Sequence, residues 1–197
     1  MTSPNVPPSL AVVFGVIGIL DDLGVRYHLG GSFASAIHGV PRQTMDVDLV
    51  VDLGAATVAR LVERLRNDFY VDLDVAQDAV RHRSSFNAIH LSSGFKVDFF
   101  VKGDGDYDEV ELERSVITRI SNDPPRTARV KTAEDTVLRK LQWFRSGGEV
   151  SDRQWKDVLG VMATVGADLD RDYLRRWATK LDVVDLLDRA SAEVDRG

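Results

Sequence analysis

The chain has 197 residues, 44% apolar and 28% charged, a length and balance that suit one globular core or a core with a helical attachment. The absence of cysteine excludes disulfide scaffolds, thiolate catalysis and cysteine-bound zinc. Lysine and arginine number 25 against 31 aspartates and glutamates, and the resulting charge of -6 opposes broad, unspecific adhesion to nucleic acid or membrane while leaving room for a local anion site.

Pro4, Pro7 and Pro8 mark residues 1–8 as a loose leader, and Ser9 is placed to cap a helix over residues 10–23. The apolar run in that helix ends at Asp21 and Asp22. At about eleven residues it is too short to span a bilayer. It also lacks the basic start and small-residue cleavage pattern of a signal peptide. A buried helix packed on more than one side is expected, with a cytoplasmic location and no membrane partner. Gly24 stops the helix, residues 25–29 read as a strand, and Gly30-Gly31 allows a tight turn free of side chains. Residues 32–38 form a short helix candidate closed by Gly39, and Pro41 opposes its continuation.

Residues 47–53 alternate as a strand, preceded by Asp46. Because a strand repeats every two residues, Asp46 and Asp48 share one face while Val47 and Leu49 share the other. Residues 55–67 carry Val58, Leu61, Val62 and Leu65 at helical spacing. Residues 69–75 read as a third strand and residues 76–83 as a polar connector or a helix. This alternation of helix and strand indicates an α/β core. Residues 86–91 and 95–101 form a hairpin about Ser92-Ser93-Gly94. Its second arm puts Lys96, Asp98 and Phe100 on one side, and Asp98 stands among valine and phenylalanine. A carboxylate so placed costs several kcal/mol unless it is paired or metal-bound. Lys96, on the same face, is in position to pair with Asp98 or touch phosphate, and reads first as an exposed strand lysine.

Residues 103–113 read as a solvated acidic loop, since they lack the EF-hand's glycine and glutamate positions. An edge strand over residues 116–120 and a turn at 122–125 follow. Helices come next: residues 133–144 behind Thr132 and Asp135, a second starting at Ser151, then residues 170–181 and 183–190. Trp143, Trp155 and Trp177 are expected to pack these helices together. The chain thus divides into a core over residues 1–125 and a helical annex over residues 126–197.

Asp46, Asp48 and Asp98 supply the oxygen ligands that hard divalent cations prefer. The histidines at 28, 38, 82 and 90 make no metal-spacing motif, GGSFASA lacks the GK[ST] ending of a Walker loop, and no GxSxG elbow is present. Gly30-Gly31-Ser32, thirteen residues, Asp46-Val47-Asp48-Leu49 and then Val97-Asp98-Phe99 together resemble the nucleotidyltransferase superfamily, which includes DNA polymerase beta and the aminoglycoside nucleotidyltransferases. The resemblance implies an α+β fold, a mixed sheet flanked by helices with a C-terminal helical annex. It also implies that Gly30, Gly31 and Ser32 contact nucleotide phosphate and that Asp46, Asp48 and Asp98 bind two magnesium ions, Asp98 also assisting deprotonation. Arg42, whose planar fork suits phosphate oxygens, and Thr44 join the nucleotide-binding set.

Glu134-Asp135, Lys140-Leu141 and Asp157 extend the likeness toward the abortive-infection type nucleotidyltransferases of toxin–antitoxin systems. There the helical lysine, here Lys140, faces the nucleotide phosphates and the later acid, here Asp157, helps hold it. The local string Gln154-Trp155-Lys156-Asp157-Val158-Leu159 lacks the further acid of the commoner form. The implied activity is magnesium-dependent transfer of a nucleoside monophosphate from a nucleoside triphosphate such as ATP to an acceptor hydroxyl. The acceptor is a small molecule, a tRNA end or a protein, and a cognate antitoxin is an implied partner. The alternative is a catalytically silent nucleotide-binding or antitoxin-type module.

Overall fold

The computed structural model describes residues 8–39 and 46–196. In chain order these form α1 (Pro8–Asp22), β1 (Tyr27–Leu29), α2 (Gly31–His38), β2 (Asp46–Val51), α3 (Ala55–Leu65), β3 (Phe69–Tyr70), α4 (Leu73–His82), β4 (Ser85–His90) and β5 (Lys96–Val101). They continue with α5 (Asp106–Arg114), β6 (Val116–Asn122), β7 (Pro125–Val130), α6 (Ala133–Ser146), α7 (Asp152–Val165), α8 (Arg171–Lys180) and α9 (Val184–Val194). The described residues group into two compact units, one holding 8–30 and 46–130, the other 31–39 and 131–196. The expected single boundary at 125/126 therefore differs from this grouping in two ways. The β6–β7 hairpin carries the first unit on to Val130, and α2 packs with α6 and α7.

The first unit is built on a sheet of order β3-β4-β5-β2-β1-β7-β6. β2 runs parallel to β5, β1 runs parallel to β7, and the other pairs are antiparallel, which makes the class α+β with a mixed sheet. Alternation along β2 and β5 sends Val47, Leu49, Val51, Val97, Phe99 and Val101 into the core. Phe99 stacks on Phe86 across the β4–β5 pair at 4.8 Å between ring centroids. In α1 the buried residues are Val12, Val13, Val16, Ile17 and Leu20, a single helical stripe. Ala11, Gly15 and Gly18 stay exposed, so the expected packing on more than one side is replaced by one-sided burial.

Two segments differ from their sequence reading because acidic residues act at helix starts. The third strand is only Phe69–Tyr70; Asp72 accepts a hydrogen bond from the Val75 amide and caps α4, so the aspartates there begin a helix. Residues 106–114 likewise form α5, with Asp106, Asp108 and Glu109 in its first turn, where carboxylates complement the positive helix end. Asp108 accepts from the Gly105 amide at 3.1 Å. Glu109 accepts from Arg26 and Lys102, and these two cations hold its carboxyl at about 2 against an ordinary 4.5. A carboxylate lowered in the folded state stabilises fully above its unfolded pKa, and that contribution fades as pH falls through its folded one. Glu109→Gln should accordingly flatten the acid limb of a melting-temperature profile between roughly pH 5 and pH 2; an unchanged limb would remove this ion pair from the account.

In the second unit, Thr132 caps α6 and Ser151 caps α7, as their sequence positions indicate. Asp135, fully buried, accepts from Thr132 Oγ1 at 2.7 Å and from the Tyr173 hydroxyl at 2.6 Å. Glu134 accepts from the Asp170 amide at the start of α8. The Glu134-Asp135 pair therefore joins α6 to α8. Tyr173→Phe should cost about 2 kcal/mol in urea denaturation, because the hydrogen bond lost is one to a buried acid. Trp155 and Trp177 are buried, as expected of residues that pack helices, whereas Trp143 is 57% exposed. A Cβ on Gly39 would lie 3.0 Å from the Val161 amide nitrogen, so the end of α2 approaches the α7 backbone where only glycine fits without adjustment.

Candidate active site

The acid face lies within the first unit, and strand register creates it. Parallel pairing sets Asp46 opposite Lys96 and Asp48 opposite Asp98, and in-register neighbours project to the same side of a sheet. Asp46, Asp48 and Asp98 therefore lie on one face of the sheet. Asn87 of β4, paired with Asp98, adds an amide to that face. On its other flank β1 runs antiparallel to β2, and the Gly30 amide donates to the Asp48 carbonyl at 2.9 Å. The glycine turn and the acidic strand are therefore laced together through the backbone. Gly31, with φ of 50°, takes the left-handed conformation needed to turn from β1 into α2.

Lys96 is the resident cation. Its Nζ lies 2.7 Å from Asp98 Oδ2, and its ammonium is held above the ordinary lysine range, first by that hydrogen bond and then by the charges of Asp98, Asp46 and Asp48. Burial opposes the shift and is outweighed. Lys96 therefore does more than the exposed-strand reading allowed. Among the described residues no three histidine, aspartate or glutamate side chains are gathered at metal-ligand distance. The three carboxylates share a face, and Lys96 feels the charge of all three while pairing with Asp98. Their chemistry fits a hard divalent cation, since every donor is a carboxylate oxygen and a positive charge already sits against them.

The second unit holds the basic candidates. Ser32, in the first turn of α2, accepts a hydrogen bond from Arg153 Nη2 at 2.9 Å. Lys140 Nζ lies 2.7 Å from Asp157 Oδ2, with side-chain exposures of 9% and 13%. The sequence expectation that Asp157 holds Lys140 agrees with this contact. Arg153 sits four residues before Asp157, on the same face of α7. It is a residue that sequence reasoning missed; its helical spacing from Asp157 was the available signal, whereas its contact with Ser32 spans 121 positions. If Arg153 prepares Ser32 for phosphate, Arg153→Ala should weaken nucleoside triphosphate binding about tenfold in calorimetry, the scale of one charge-assisted hydrogen bond. Unchanged affinity would make the contact purely structural. Arg42 and Thr44 lie outside the described residues.

No family model matches the chain, and no curated protein does either. Solved structures do. The antibiotic-resistance factor ANT(2'')-Ia, in its solution structure, matches with a TM-score of 0.55 at 13% identity over 91% of this chain and 96% of that one. The same factor in complex with adenylyl-2''-tobramycin matches at 0.54 and 13% identity over 93% and 98% of the two chains. An antigenic nucleotidyltransferase-like protein from Paracoccidioides brasiliensis matches at 0.53 and 16% identity over 95% and 94%. The chain has the nucleotidyltransferase fold.

Proposed function

We propose that this protein is a magnesium-dependent nucleotidyltransferase, moving a nucleoside monophosphate from a nucleoside triphosphate to an acceptor hydroxyl. The fold is the premise, and the observation that carries the reading is the in-register pairing of Asp48 with Asp98 beside the Gly30 turn. A sheet with no such task has no reason to face three carboxylates the same way, because like charges held together raise one another's energy. Magnesium, when bound, supplies charge neutralisation along the triphosphate and a lowered pKa for the attacking hydroxyl.

The chain's own groups account for the remaining steps. Asp46 and Asp48 would hold the magnesium carried by the triphosphate, and Asp98 with one of them would hold a second ion. Asp98, once free of Lys96, takes the proton from the acceptor hydroxyl as that oxygen bonds to the α-phosphorus. The bond from the α-phosphorus to the oxygen bridging the β-phosphate breaks, and pyrophosphate leaves. Ser32, Arg153 and Lys140 are the candidate phosphate contacts, donors whose charge or hydroxyl suits phosphate oxygens. ANT(2'')-Ia, crystallised with an adenylylated aminoglycoside, suggests a small hydroxylated molecule as the first acceptor class to test. A tRNA end, a protein acceptor and a cognate antitoxin are narrower forms of the same reading.

A second reading is favoured by one feature: Asp98 is engaged by Lys96. On that reading the protein binds nucleotide without turning it over. The test is incubation of the full chain with each α-labelled nucleoside triphosphate, magnesium and cell extract. Labelled adduct that depends on Asp48 supports transfer. Saturable nucleotide binding in calorimetry, with no adduct on prolonged incubation, supports the silent module instead.

A further inference from the structure

We propose that Lys96 is a built-in counter-ion of the acid face, one that a divalent metal must displace from Asp98 in order to bind. The inference rests on the metal-binding reading above and goes beyond it by assigning a role to a residue of this chain. Register places Lys96 directly opposite Asp46 and two residues before Asp98 on the same strand face. Its Nζ sits 2.7 Å from Asp98 Oδ2. One ammonium therefore stands between the acids of two adjacent strands.

Its charge offsets the repulsion among carboxylates that face the same way on the parallel β2–β5 pair. With it, the Asp98 carboxylate is held by an ammonium on its own strand face. The Lys96 side chain is 43% exposed while that of Asp98 is 16% exposed, so the lysine can swing toward solvent and leave the carboxylate in place. A partly exposed ion pair is weak, and displacing it costs a metal only a small factor in affinity. The lysine can thus neutralise the acid face and still yield.

The test is Mn2+ binding to the full chain in the absence of nucleotide, followed by electron paramagnetic resonance of the free ion. Lys96→Met and Lys96→Gln should each bind Mn2+ about three- to tenfold more tightly than the native protein, the range expected from removing a weak competing ion pair and one local positive charge. Lys102→Met removes the same charge from the Glu109 pair and should leave Mn2+ affinity unchanged. The Lys96 variants should also melt earlier without metal and gain more on saturation with it. Equal or weaker Mn2+ affinity in both Lys96 variants overturns the counter-ion role while leaving the metal reading standing. If neither the native protein nor the variants bind Mn2+, the metal reading falls and this proposal falls with it.

Discussion

Asp48→Ala is expected to reduce nucleotidyl transfer by at least about a thousandfold, roughly 4 kcal/mol of transition-state stabilisation. Asp48 is the central acid of the face: Asp46 lies two residues away on β2, and Asp98 lies directly opposite on β5. Removing it takes away the carboxylate common to both neighbours and leaves Lys96 with a smaller negative field. The fold should survive, because Val47 and Leu49, the side chains of β2 that fill the core, are untouched. Single-turnover transfer of a labelled nucleotide, with far-ultraviolet circular dichroism as the folding check, decides the matter. A variant retaining a tenth of native transfer would show that this face is not where the chemistry occurs.

The largest stability effect should come from Asp157→Ala in the second unit, at about 3 kcal/mol. Lys140 and Asp157 make a 2.7 Å ion pair with both side chains almost shielded from water. Deleting the acid removes a charge-assisted hydrogen bond from an ammonium with little access to solvent, and the loss of that charge partner in a shielded place accounts for most of the cost. Replacing both residues, as Lys140→Met with Asp157→Leu, should recover most of the loss, since an apolar pair of similar volume pays no such penalty. Urea denaturation of the two variants beside the native chain measures the difference. A double variant as unstable as the single one would show that the volume of the pair matters more than its charge. The double variant should still bind triphosphate weakly if Lys140 is a phosphate contact.

Much of the acid face was legible because its logic is local. Strand periodicity alone put Asp46 with Asp48, and Lys96 with Asp98, on shared faces. The same local logic placed the hairpin around Ser92-Ser93-Gly94 and the caps at Thr132 and Ser151. Where local signals competed, the reading failed. The acidic residues at 72 and at 106–109 read as part of a strand and of a solvated loop, yet each begins a helix, because a carboxylate that is costly in a strand satisfies open amides at a helix start. β7, Pro-Arg-Thr-Ala-Arg-Val, went unread since only Ala128 and Val130 enter the core and the rest of its stability comes from pairing with β6 and β1.

From the sequence alone came the glycine turn, the three acids, the face that each strand presents and the helical character of the chain after Val130, all of which depend on neighbours within a few residues. Tertiary structure alone decided that β2 and β5 run parallel in a register setting Asp48 against Asp98, that α2 groups with the late helices, and that Arg153 meets Ser32. Register and long-range side-chain contact depend on how distant segments share a core and satisfy each other's hydrogen bonds, a balance that no short window of residues contains.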